Sequence, residues 1–133
     1  MKSLLKQFPI TTLCLVLIWY LCLFRAPHIQ QLDHIVGFDK MVHTSMYLGT
    51  CSLFWAEYLR SPHQWSRLRL TLLAVVFPIL MSGLIELAQT YLTDYRSGDW
   101  FDFLANSLGV ILALPVMRLL RQHFRPQSPN TRK

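Results

Sequence analysis

Residues whose types could do chemistry gather in three short stretches of the chain: Asp39, Lys40, His43 and Tyr47; then Glu86 and Gln89; then Arg96, Asp99, Asp102 and Asn106. Asp39, His43 and Tyr47 recur at i, i+4 and i+8, so a helix would line them along one stripe. Glu86 and Gln89 share a face at i, i+3. Asp102 and Asn106 do so at i, i+4, with Gly109 about one turn further on. Imidazole and carboxylates are the groups of general acid–base catalysis and of mixed nitrogen and oxygen metal sites. A guanidinium such as Arg96 suits phosphate or carboxylate through its planar fork. No HExxH run, phosphate-cradling glycine loop or nucleophile elbow accompanies them. No cofactor is therefore expected, no metal site is assigned, and catalysis stays open with the balance towards binding.

Each of these residues also has a plainer role. Glu86 could lock its helix to Lys40, Arg96 or His43, and His43 could be a polar clip between helices. Asp102 near a helix start favours the helix dipole, and Asn106 can hydrogen-bond across helices. Asp39 reads as a helix cap and Lys40 as a side chain snorkelling to the interface.

The elements that must position these groups follow from composition. Hydrophobic residues make up 53% of the 133 and charged residues only 15%, against about 25% charged in soluble domains. Much of the surface therefore does not face water, which disfavours a soluble enzyme, a secreted disulfide scaffold and a disordered chain. Cys14, Cys22 and Cys51 are odd in number and lie inside apolar runs. The first two would sit about 12 Å apart on a helix, too far to bridge.

Four apolar segments, at about residues 8–24, 41–59, 70–92 and 103–120, approach the ~20 residues needed to cross a bilayer. The first has Lys2 and Lys6 before it, but it exceeds a signal-peptide core and lacks a small-residue cleavage site, so it reads as a retained helix. Pro78 and Pro115 fall inside the last two and are tolerable in membrane helices. The reading is an all-α polytopic membrane protein with four transmembrane helices over residues 1–125 and a disordered tail at 126–133.

Flanking charge sets the direction. The N-terminal flank is basic and the first loop is balanced. The second loop carries Arg60, Arg67 and Arg69 without an acid. The third holds Asp94, Asp99 and Asp102 against Arg96, and the C-terminal stretch is basic again. The positive-inside rule then places both termini in the cytoplasm and the first and third loops outside. The net charge of +6 thus speaks for topology and anionic lipid, not nucleic acid. With that direction, all three polar stretches reach one outer depth, where ionisable groups must face one another or a wet cavity. Glu57, near the inner end, is the exception.

Asp39-Lys40-x-x-His43-x-x-x-Tyr47, then Glu86-x-x-Gln89, then Arg96-x-x-Asp99-x-x-Asp102-x-x-x-Asn106-x-x-Gly109, resembles the VanZ-like family of small bacterial membrane proteins. The resemblance runs from about Phe38 to Pro115, with the first helix similar in character only. The family takes its name from a member conferring low-level teicoplanin resistance. The resemblance implies a protein of the bacterial cytoplasmic membrane, with a role in the cell envelope of the glycopeptide-resistance kind. The ten residues above would form an outward-facing binding pocket. The partners expected are membrane lipids and a cell-wall precursor or lipoglycopeptide, with a homo-oligomer allowed. A membrane enzyme acting on a lipid-linked or phosphorylated substrate, and a structural or assembly subunit, are the alternatives.

Overall fold

The structure, a computed structural model, describes residues 4–24, 37–62, 64–92 and 98–124. Arg96, Asp94, much of the first loop and the 126–133 tail lie outside the described residues. Everything described is helix or short connection, and four long helices carry the fold.

Helix α1 (Pro9–Leu23) follows a single turn at Leu4–Gln7. Phe8 occupies its N-cap position and has no side chain able to cap, while Pro9 opens the helix where its missing N–H is harmless. Helix α2 (Phe38–Arg60) starts after Gly37, whose φ of 82° is left-handed and suits glycine alone among the residues there. Asp39 therefore lies inside the first turn instead of capping it, which corrects the sequence expectation.

Helix α3 runs unbroken over Arg67–Leu92. It begins at a Ser66 cap, whose Oγ accepts from the Arg69 N–H, and widens into a π turn at Leu72–Val76 before resuming as α-helix over Phe77–Leu92. In that turn the Phe77 N–H reaches the Leu72 carbonyl, five residues back. Pro78 explains the position. Its nitrogen cannot donate, and its ring crowds the carbonyl four residues earlier, that of Ala74, so the backbone accommodates it by opening one turn. Helix α4 spans Trp100–Phe124 and carries Pro115 internally.

The helices are longer than their apolar segments: 38–60 against 41–59, 67–92 against 70–92, and 100–124 against 103–120. The added turns are polar, so hydropathy alone stops short of them. Two helices, α3 and α4, are long and apolar enough to cross a membrane. Helix α1 has only 15 residues, about 22 Å at 1.5 Å per residue. Helix α2 has the length, but Asp39, Lys40 and Glu57 make it more polar.

Helices α2 and α4 form the most extensive pairing, with α3 against α4 and α1 against α2. The α2–α4 seam is close because Gly109 lies in it. A Cβ there would collide with the Thr44 carbonyl oxygen and approach the Leu48 nitrogen to 3.0 Å. Small residues serve membrane helix pairs in this way. Outside the core, Leu80, Leu84, Leu104, Leu108 and Ile111 are all about half exposed or more. An apolar surface of that extent suits lipid better than water.

Candidate functional site

Two helix starts and one helix end meet at a single end of the bundle, and there the chain concentrates its buried polar groups. His43, Glu86, Gln89, Asp102 and Asn106 are each at most 4% exposed. Above them Asp39, Lys40 and Asp99 form a rim, with side chains 56%, 36% and 41% exposed.

Asp99 initiates α4. Its carbonyl accepts from the Asp102 and Phe103 amides, and its Oδ1 from the Phe101 N–H at 2.8 Å. It is a helix cap, where sequence had put it in the outer loop. Asp102 consequently lies in the first turn, beside the orphan amides of the helix terminus, where a carboxylate is favoured.

The Lys40 ammonium joins the two helices. Its Nζ donates to Asp99 Oδ2 at 2.6 Å and also to Asp102 Oδ1, while Asp39 Oδ2 lies 3.6 Å away. Lys40 thus does more than snorkel. It neutralises Asp102, only 2% exposed, whose burial as an unpaired carboxylate would be strongly unfavourable.

One turn deeper, a chain of side chains crosses three helices. Asn106 Nδ2 donates to Ser82 Oγ at 2.9 Å, which turns its Oδ1 towards His43 Nδ1 at 3.1 Å. With that amide orientation, Nδ1 carries the proton and donates to Asn106. His43 Nε2 then faces Asp102 Oδ2 at 3.6 Å and Asp39 Oδ1 at 3.8 Å. Thr44 adds a further tie across the seam, its hydroxyl bonding the Lys40 and Ala105 carbonyls.

Glu86 enters from α3. Its Oε2 accepts from the Asp99 N–H at 2.9 Å, so it fixes the start of α4 through backbone; Arg96, one of the partners the sequence offered, lies outside the described residues. Gly98 helps, since a Cβ there would strike the Glu86 carbonyl. Gln89 points elsewhere: its Nε2 donates to the Cys22 carbonyl of α1 at 3.0 Å. Tyr47 lies one turn deeper, its ring lining an apolar cavity while its hydroxyl sits beside Ser82 of the cluster. Of the ten residues singled out in the sequence, the described Asp39, Lys40, His43, Glu86, Asp99, Asp102 and Asn106 lie together, and Gln89 reaches from the same end to α1.

Sequence reasoning missed Glu57. Its carboxylate receives the Ile10 N–H at 2.9 Å, the Thr11 N–H at 3.0 Å and the Thr11 hydroxyl at 2.6 Å. It is the cap that α1 lacks in its own sequence. The available signal was a helix start with phenylalanine at the cap position, combined with an unassigned acid at the same depth. None of the three cysteines forms a disulfide with another described residue.

Chemically, the cluster offers an imidazole oriented by an amide and set beside two carboxylates. Asp39, His43 and Asp102 place ligand atoms within 4.8 Å of one another. They could hold a cation, but the Lys40 ammonium already sets a positive charge against the same carboxylates, which opposes a second. A polar headgroup could exchange contacts with the exposed rim without disturbing the buried floor.

No curated protein and no solved structure matches the chain. A family model described as VanZ/LLP1 matches residues 8–121, a span containing all four helices almost entirely together with the whole polar cluster. The chain belongs to the VanZ-like family.

Proposed function

We propose that this VanZ-like chain is a multi-pass protein of the bacterial cytoplasmic membrane, with both termini inside, four spanning helices and its polar cluster facing outward. The cluster engages the polar part of an envelope lipid, a cell-wall precursor or a lipoglycopeptide, in an accessory role like that of teicoplanin resistance. The observation that carries this reading is the layering of the site. A partly exposed rim of Asp39, Lys40 and Asp99 stands over a buried floor of His43, Asp102 and Asn106. Charge alternation between loops supports the orientation.

Expression in a susceptible host should lower the amount of fluorescent lipoglycopeptide bound at the cell surface. Asp39→Ala, at the exposed rim, should remove most of that effect at equal protein level. Unchanged surface binding with well-expressed wild-type protein would sink the proposal for that ligand.

A second reading, of a structural or assembly subunit, is favoured by the direct pairing of Lys40 with both aspartates and of Asn106 with Ser82. On that reading, Asp39→Ala leaves every phenotype intact, and variants of the floor act only in proportion to the protein they leave folded.

A further inference from the structure

From the middle of the bundle towards the end opposite the polar cluster, the helices line a partly open cavity of about 260 Å³ whose walls are almost wholly apolar. Phe8 and Leu15 bound it from the α1 side, Phe54 from α2, and Leu73 and Ala74 from the π turn of α3, with Trp65 at its basic end. The π turn helps to make the space, because widening the helix at Leu72–Val76 resets where Leu73 and Ala74 project.

Two threonines of α1 also line the cavity, but their hydroxyls are already engaged. Thr11 donates to Glu57, and Thr12 to the Phe8 carbonyl. Water held in a cavity needs two to four polar partners, and these walls offer few, so the chemistry of the space suits hydrocarbon. Around Trp65 the character changes abruptly. The indole packs against Phe8 at 5.2 Å and Phe54 at 6.4 Å, and its backbone N–H is held by the Tyr58 hydroxyl. The Arg69 guanidinium lies 4.4 Å from its ring, and Arg60 stands over Phe124 at the same end. The sequence between Arg60 and Arg69 contains Arg67 and no acid, while Glu57 is turned towards the start of α1.

We infer that this end of the bundle is a binding site for an anionic phospholipid, with one acyl chain in the Phe8–Phe54–Leu73 cavity and the phosphate at the Arg69–Trp65 edge. Apolar walls select the chain, and the guanidinium selects the charge. None of the rim and floor residues Asp39, Lys40, His43, Asp99, Asp102 and Asn106 lines this site, so it does not rest on the function proposed above.

The full chain, purified in detergent, would be incubated separately with lysophosphatidylglycerol, lysophosphatidylcholine and glycerol 3-phosphate, then analysed by native mass spectrometry. One lysophosphatidylglycerol per chain should be retained, about tenfold more than lysophosphatidylcholine, and glycerol 3-phosphate should not be. Leu73→Trp, which fills the cavity, should reduce retention of both lysolipids about tenfold. Arg69→Ala, at the surface and outside the core, should lower retention of lysophosphatidylglycerol to about that of lysophosphatidylcholine, removing the anionic preference. Equal retention of the two lysolipids by wild-type protein would overturn the proposal, as would full retention by a folded Leu73→Trp chain. If Leu73→Trp does not fold, an unaltered preference in Arg69→Ala overturns it alone.

Discussion

Helices α2 and α1 are held in place by opposite means. Helix α2 is fixed along its side, by Gly109 pressing the α4 backbone against Thr44 and by side chains crossing the seam from Lys40, His43 and Thr44. Helix α1 is fixed at its ends. Glu57 of α2 takes its first amides, and Gln89 of α3 takes the Cys22 carbonyl in its last turn. Besides the anchored Thr11 and Cys22, Ile18 alone among the residues of α1 is buried. The contrast follows from composition. A helix apolar on all sides has no polar face to orient it, so its rotation needs directional bonds at its ends. A helix carrying its own buried charges cannot rotate without unpairing them.

The hardest test of the seam is Gly109→Leu. With a backbone carbonyl in the way, the side chain must part α2 from α4, and overpacking of this kind costs about 1–3 kcal/mol or more. The expected result is loss of most folded protein in detergent, read by fluorescence-detected size exclusion. A melting curve like that of the wild type would mean that the close approach is not what holds α2.

Lys40→Met should come next, at about 2–3 kcal/mol: breaking a buried pair costs about 3–5 kcal/mol, reduced here because Lys40 is partly exposed. The companion Lys40→Met/Asp102→Asn should recover part of that loss in thermal melts, since no unpaired carboxylate then remains buried. Failure of the double variant to exceed the single one would argue against the pair.

Glu57→Ala acts on α1 alone. It removes three hydrogen bonds to a carboxylate, two of them from the first amides of α1, for an expected loss of about 1–2 kcal/mol. Hydrogen exchange should accelerate at Ile10 and Thr11 while the amides around His43 and Asn106 keep their protection. Equal acceleration at both places would show that the two ends are not independent. Gln89→Leu is the gentlest change, about 1 kcal/mol. Its signature should be faster fraying at the end of α1, with the α2–α4 seam unchanged.

The seam was legible in the sequence and the end bonds were not. Asp39, Lys40, His43, Asp102 and Asn106 stand out because ionisable and amide groups are rare in apolar helices, and charge bias assigned all of them one depth. Their helical spacing then aligned them. Glu57 gave no such pattern because its partners are backbone amides, which every residue has. Gln89 likewise shared a helical face with Glu86, yet it bonds a carbonyl on α1 while Glu86 bonds an amide beside α4. The π turn was hidden for a related reason. Pro78 announced a disturbed helix, but whether it kinks or bulges depends on what packs against Ala74.

The anchoring of α1 also determines where its placement is encoded. Apart from the Thr11 hydroxyl, the groups it offers to Glu57 and Gln89 belong to the main chain. Any apolar helix of similar length, with small residues where it meets the core, could present the same amides and carbonyl. The specification for α1 therefore resides in other helices, about 46 and 67 positions away along the chain. Beyond the buried Thr11, Ile18 and Cys22, the side chains of α1 contribute little to where it sits, and its address is written in the carboxylate of one neighbour and the amide of another.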